Sequence, residues 1–344
     1  MTEAKTLSIA DLTGRVEEIF RKAGLDARQA GAMARVIAAG ERDDCKSHGV
    51  YRIEGCLRTL KAGKVVPDAE PTVHVDSTAI TRVDAKGGFA PLAFETGLPV
   101  LAERARALGL AALVINDCTH FSALWPEVEA LAELGLAGLA LCPSYSAVAP
   151  AGGSRPLFGT NPMAFGWPRR NGPPYVFDFA TSVVARGEIE LHRRAGQTIP
   201  AGWAIDSEGA ATTDPGRALA GAMLPFGGHK GSAISTMIEL LGGAMIGDLL
   251  SAEALDVLGS TTLLPRHGEL IVAFDPGRFA ADRPGDPHDR AEALFEAILG
   301  QGARLPSQRR FAARARAEAQ GIGLTAHEIE QLDRFASLGL DALP

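Results

Sequence analysis

Hydrophobic positions near the start of the chain recur with helical spacing. Ile9, Leu12, Val16, Ile19 and Phe20 fall on one face, and Ser8 with Asp11 supplies an N-cap signal ahead of them. The pattern predicts a second helix over 27–39, with Gly40 as its stop, and a third over 50–62 that ends at Gly63. From Thr72 the period changes. Val73, Val75, Ile80 and Val83 sit in extended segments that end at Lys86-Gly87-Gly88. A helix over 91–108, a strand over 111–115, a helix over 124–134 and a strand over 136–142 come next. This alternation predicts an α/β or α+β core.

The stretch 143–225 is rich in Gly, Pro and Thr and shows one clear strand, Tyr175 to Phe179. Long irregular segments inside compact domains are usually functional. Beyond it the pattern gives a helix over 230–246, weakened by Gly242-Gly243, and a strand over 270–274. Two or three amphipathic helices follow Asp289.

Composition narrows the function. The 344 residues suggest about two domains. A net charge of -7 without a long basic run argues against nucleic acid or an anionic membrane as main partner. The longest apolar stretches contain Gly and Pro and fall short of the ~20 residues of a membrane span. The opening MTEAKTLSIADL lacks the basic start and apolar middle of a signal peptide, so the expected location is cytoplasmic. Cys45, Cys56, Cys118 and Cys142 form no C-x-x-C pair, and the eight histidines show no metal-ligand spacing. Neither a disulfide framework nor a metal site is expected. There is no G-x-G-x-x-G after a strand and no P-loop, so any dinucleotide must bind outside the Rossmann scheme.

Four segments can carry chemistry. In Ser47-His48-Gly49, just before a predicted helix, His48 titrates near working pH and Ser47 can orient it or relay a proton. Arg52 follows one helical turn later, and its guanidinium can grip a carboxylate. On residue pattern alone, Ser47 as an N-cap and His48 as a surface residue is the stronger reading. Thr119 to Trp125 follows a strand and opens a helix, where backbone N–H groups suit phosphate, but a cap with core aromatics fits equally. Ala151 to Pro162 offers backbone and hydroxyl donors, or is a structural loop. Pro225 to Ser232 reads PFGGHKGS before a helix, a credible diphosphate site.

Together these segments resemble the malate/L-lactate dehydrogenase family that lacks a Rossmann fold. The resemblance rests on Ser47-His48-Gly49, Phe158-Gly159-Thr160-Asn161-Pro162, Asp178 to Ser182, Gly228 to Gly231 and the tail Arg304 to Arg310. Phe121 to Pro126 and Leu224 to Ala233 look most like its cyclic ketimine branch, the Δ1-piperideine-2-carboxylate and Δ1-pyrroline-2-carboxylate reductases. The resemblance implies a non-Rossmann NAD(P)-binding domain with a mixed, largely antiparallel sheet over 76–284. It implies a mainly helical domain from both chain ends, 1–75 with 285–344, and an active site between the two. It also implies a homodimer using NADPH, with NADH as the alternative. By carry-over, His48 donates the proton, Ser47 and Glu188 complete a relay, and Arg52 and Thr160 hold the substrate carboxylate. The cofactor is surrounded by His120, Phe121, Ser122, Ala123, Leu124 and Trp125, by Asp178, Phe179 and Ala180, by His229 and Lys230, and by Arg304, Leu305, Pro306, Arg309 and Arg310. Two departures stand out: Glu188 replaces the branch's aspartate, and Ser307-Gln308 replaces a Gly followed by an acid. The rival readings are a 2-oxo acid reductase or 2-hydroxy acid dehydrogenase of the same family, and a non-catalytic ligand-binding protein on the same scaffold.

Overall fold

The computed structural model describes residues 5–344. The chain begins with β1 (Lys5–Leu7), α1 (Ile9–Lys22) and α2 (Ala27–Arg42). Ser8 caps α1 through the Asp11 N–H, and Asp26 caps α2 through the N–H groups of Arg28 and Gln29. The predicted stop at Gly40 is not one: α2 runs on to Arg42. A Cβ at Gly40 would lie 2.5 Å from the His48 carbonyl oxygen, so this glycine lets the following loop lie flat on the helix. A 3-10 turn (Lys46–His48) leads into α3 (Tyr51–Lys61).

The sheet is then laid down. β2 (Thr72–Val75) and β3 (Ile80–Asp84) precede α4 (Ala90–Leu108) and β4 (Leu110–Thr119). α5 (Trp125–Glu133), β5 (Ala137–Leu141), β6 (Met163–Trp167) and β7 (Tyr175–Phe179) continue it. Next come α6 (Arg186–Arg194), β8 (Ala204–Ile205), β9 (Ala211–Thr212), α7 (Pro215–Ala220) and β10 (Ala222–Met223). α8 (His229–Gly242), α9 (Ser251–Leu258) and β11 (Arg266–Phe274) follow. The chain closes with α10 (Pro276–Phe279), α11 (Pro287–Gly300), α12 (Gln308–Gln320), β12 (Ile322–Leu324) and α13 (Ala326–Leu338).

Seven strands form one sheet in the order β2-β3-β4-β11-β5-β6-β7, with only β3 and β4 parallel. This is the mixed, largely antiparallel sheet expected, with α4 joining its one parallel pair. Alternation sets its two faces. Leu113 and Ile115 pack with Leu101, Val128 and Leu131 of α4 and α5, whereas Val114 packs with Ile238 of α8. A separate core unites both chain ends, with Leu12, Val16, Phe20, Met33, Ile53 and Leu57 against Ile329, Leu332 and Phe335. β1 and β12 pair antiparallel beside it. α11 lies elsewhere, on the β7 edge, where Phe295 stacks on Tyr175 at 5.1 Å.

The stretch 143–225 is more ordered than its composition suggests. It holds β6, α6, α7 and a small sheet of order β10-β8-β9. Its strands are two residues long, too short for a period to show. Among the described residues no single helix is long and apolar enough to cross a membrane.

Candidate active site

The structure decides between the two readings of Ser47. α3 begins with Val50 as its N-cap and has no side-chain cap. Ser47 Oγ instead lies 3.0 Å from His48 Nδ1, and Arg52 Nε donates to the Ser47 carbonyl oxygen at 2.7 Å. The turn is therefore built as a serine–histidine pair with a guanidinium folded back on it. Glu41 of α2 pins it from behind: its carboxylate accepts from the Val50 N–H at 2.9 Å and pairs with Lys46. A side chain on Gly49 would collide with that carboxylate. His48 is half-buried, and surrounding protein pushes its pKa down to about 3, helped by the positive charge of Arg52. At neutral pH its ring is uncharged.

Residues 119–125 run from the end of β4 into α5. The N–H groups of Leu124 and Trp125 already donate to Asp178 Oδ2, at 2.8 and 2.9 Å. The start of α5 is thus satisfied by a carboxylate of β7, not left open for phosphate. Burial raises the Asp178 pKa to about 6 against those two bonds. Phe121, Leu124 and Trp125 are buried, Phe121 edge-to-face on Phe89, so their side chains serve the core. Ser122 Oγ and His120 Nε2 are buried without a partner, and His120 faces Glu269 of β11 at 3.7 Å.

The glycine-rich segments meet beside this site. The Thr160 carbonyl accepts from the Thr181 N–H at 2.8 Å, and Asn161 is locked to Ser235, Glu239 and Ser251. Gly227 and Gly228 adopt φ of 55° and 60° and deliver the exposed His229 and Lys230 at the start of α8. Gly231 packs so closely on Phe226 that any side chain there would clash. Phe179 is exposed and Ala180 is half-buried.

The C-terminal segment divides. Arg304 and Arg309 are exposed, and no ion pair holds either among the described residues. Leu305 is buried, Pro306 half-buried, and Ser307 takes a left-handed φ of 61° before α12. Arg310 is buried, with Nη1 bonded to Asp43 at 2.8 Å and Glu129 at 2.9 Å and its plane over Trp125. Arg310 is thus part of an internal ion-pair network, although its buried Nη2 has no partner. Glu188 sits in the first turn of α6, half exposed and turned toward His192 at 3.9 Å. Among the described residues it makes no hydrogen bond to Ser47 or His48, so this geometry does not draw it into the relay.

Three residues escaped the sequence reading. Glu41 anchors the Ser47–His48 turn, and Glu269 lies beneath His120. Tyr145 is half-buried near Arg52, with its phenol donating to the Thr261 carbonyl at 3.3 Å and its pKa raised by burial. None belongs to a motif. Their signal is tertiary, although charges at buried strand and helix positions are the clue a sequence carries.

His229 and Lys230 are exposed at the start of α8, and Arg304 and Arg309 are exposed ahead of and within the first turn of α12, side chains of the kind that hold a diphosphate. A match to the malate/L-lactate dehydrogenase family model covers residues 7–333. The chain belongs to that family. It is 70% identical to a Δ1-pyrroline-2-carboxylate reductase of Agrobacterium fabrum, over 100% of both chains. A Δ1-pyrroline-2-carboxylate/Δ1-piperideine-2-carboxylate reductase of Pseudomonas aeruginosa is 57% identical, over 88% of this chain and 91% of its own. The crystal structure of Δ1-piperideine-2-carboxylate reductase from Pseudomonas syringae superposes with a TM-score of 0.92 at 40% identity, over 96% of this chain and 99% of that one. Family membership carries with it the expectation of a nicotinamide cofactor. The fold of the malate/L-lactate dehydrogenase family thus accounts for both the mixed sheet and the helical layer built from the two chain ends.

Proposed function

We propose that the chain reduces cyclic ketimine carboxylates, Δ1-pyrroline-2-carboxylate to L-proline and Δ1-piperideine-2-carboxylate to L-pipecolate, with NADPH as preferred donor. The observation that carries this reading is the Ser47–His48–Arg52 turn in a chain so similar to reductases of those names. The bound nicotinamide supplies a hydride to the C=N carbon. His229, Lys230, Arg304 and Arg309 would hold its anionic parts, and Ala123, Phe179 and Ala180 would line its path.

Arg52 spends Nε on the Ser47 carbonyl, which leaves both Nη groups for a bidentate grip on the substrate carboxylate. Thr160 adds a hydroxyl to that grip. The neutral His48 ring accepts the Ser47 hydroxyl at Nδ1 and keeps its proton on Nε2 for the imine nitrogen. As that proton leaves, the Ser47 proton moves to Nδ1, and the exposed Ser47 oxygen takes a proton from solvent in the same step. The bound carboxylate also offsets the Arg52 charge, which raises the His48 pKa on binding. A neutral imidazole is a weak acid. It suffices for a basic imine nitrogen better than for a carbonyl oxygen, and this favours imines over 2-oxo acids.

The same reading includes a homodimer and a cytoplasmic location. Met237, Leu240, Met245 and Val257 form an exposed apolar stretch along α8 and α9, which supports pairing of two copies. Light scattering should return twice the chain mass.

The deciding experiment follows reduced nicotinamide absorbance with both imines and pyruvate, using NADPH and NADH. Faster turnover of the imines with NADPH is expected. Turnover of pyruvate alone would overturn the reading, and cofactor binding without any turnover would mark a non-catalytic protein.

A further inference from the structure

Beneath His120 lies a group of acids that the mechanism does not use. Glu269 of β11 and Glu127 of α5 are both buried. Both Glu269 carboxyl oxygens and Glu127 Oε2 have no hydrogen-bond partner, and neither does His120 Nε2. The reactive atoms of the three side chains lie within 4.8 Å of one another. Two ionised carboxylates with no cation cannot persist in such an interior, because desolvation and mutual repulsion both oppose charge. At least one must hold a proton, and a protonated carboxyl is a donor in search of an acceptor. His120 Nε2, 3.7 Å from Glu269 Oε2, is an unpartnered acceptor within the same cluster.

We propose that Glu269, kept protonated beside Glu127, is a positioning residue that donates to His120 Nε2 and thereby holds His120 in the tautomer with its proton on Nδ1. This rests on the reductase reading, since it fixes which ring nitrogen donates in a histidine that lies near His48 and Arg52. His48 and Arg52 lie close enough to depress the His120 pKa, so that ring borders the substrate carboxylate's site. Burial and His267 depress it as well, and His120 stays neutral. Only its tautomer is free to change.

The groups facing the pair come from every neighbouring element. Cys118 lies on β4, His267 on β11, Cys142 just past β5 and Asp178 on β7. The two thiols are held protonated by burial, and His267 is held neutral, with Nδ1 2.8 Å from the Gly268 carbonyl oxygen. None supplies a positive charge to stabilise an ionised Glu269. Burial lifts the Glu269 pKa to about 8, and burial with Glu269 lifts that of Glu127. Above pH 8 Glu269 ionises and accepts from His120 Nε2–H, and Nδ1 turns from donor to acceptor.

The test uses the full-length protein with 15N-labelled histidine. Ring nitrogen shifts on either side of pH 8 should show His120 changing from the Nδ1–H to the Nε2–H tautomer. In Glu269→Gln the side-chain amide donates at every pH, so the change should vanish. Turnover by that variant should stay near wild type at pH 7 but lose the alkaline fall in kcat/KM for the imine, while KM for the cofactor is unaltered. A purely structural Glu269 would leave both profiles alike. A His120 tautomer that is the same on both sides of pH 8 in the wild type overturns the proposal. So does one divalent metal per chain by elemental analysis, because the same atoms could then be ligands. The nuclear readout needs no turnover, so failure of the reductase reading would be seen separately as inactivity toward imines.

Discussion

Two clusters of buried charge meet at α5, and they are built in opposite ways. On one side Glu129 and Asp43 are each bonded by Arg310 and Arg314, at 2.6 to 2.9 Å. On the other, two residues earlier on the same helix, Glu127 faces Glu269 and His120 with no counter-ion. The first cluster ties α2, α5 and α12 together, with Trp125 as a platform beneath both guanidinium groups. Every carboxylate in it has a partner, so it reads as a clamp. The second leaves its carboxylates themselves unsatisfied, a cost that a merely structural site has no reason to keep, whereas in the first the unpartnered atoms are Arg310 Nη2 and Trp125 Nε1. Pairing, rather than burial, separates a charge that holds the fold from one that tunes the chemistry.

Variants should separate the two by readout. His48→Ala lies outside both clusters and calibrates the scale: kcat should fall about 10³-fold, with melting unchanged. Arg310→Leu strips Asp43 and Glu129 of one shared partner. Thermal unfolding should show a loss of about 3 kcal/mol, while turnover per folded molecule stays near wild type. Loss of cofactor affinity without loss of stability would instead return Arg310 to the cofactor site.

The pH dependence of stability should run in opposite directions. Burial pushes the Asp43 pKa up, but bonds from Arg314 and Arg42 hold it below its ordinary value. Its contribution is present above the unfolded pKa of 3.8 and is lost as pH falls through the lower folded value. Glu269 is raised from 4.5 to about 8, so its contribution is full below 4.5 and is lost as pH rises through 8. Denaturant melts of the wild type and Glu269→Gln should diverge progressively from pH 4.5 to pH 8 and run parallel above it. A common slope over that interval would place its source elsewhere. The smallest effect is expected at Glu188, whose carboxylate faces solvent and His192. Glu188→Ala should lower kcat by less than about tenfold. A loss as large as that of His48→Ala would draw Glu188 into the relay.

Much was legible in the order of residues alone. Local periodicity placed α1, α4, α5 and β7 within a few residues, because each is long enough to show its period or is bounded by Gly and Pro. The spacing of Ser47, His48 and Arg52 marked a candidate site, although a helix cap was the stronger reading of those residues alone, and the ordered motifs pointed to the family. Tertiary structure decided what those residues do. It took Ser47 from helix cap to histidine partner, because Gly40 and Glu41 hold the turn against α2. It placed Arg310 in an ion-pair network, because α12 packs where Asp43 and Glu129 converge. It joined Glu127, His120 and Glu269 although 149 positions separate the last two in sequence. β11 enters the sheet between β4 and β5, and that pairing forms only when distant strands meet. A side chain's chemistry is written in its type, but its charge state and partner depend on neighbours that local sequence does not contain.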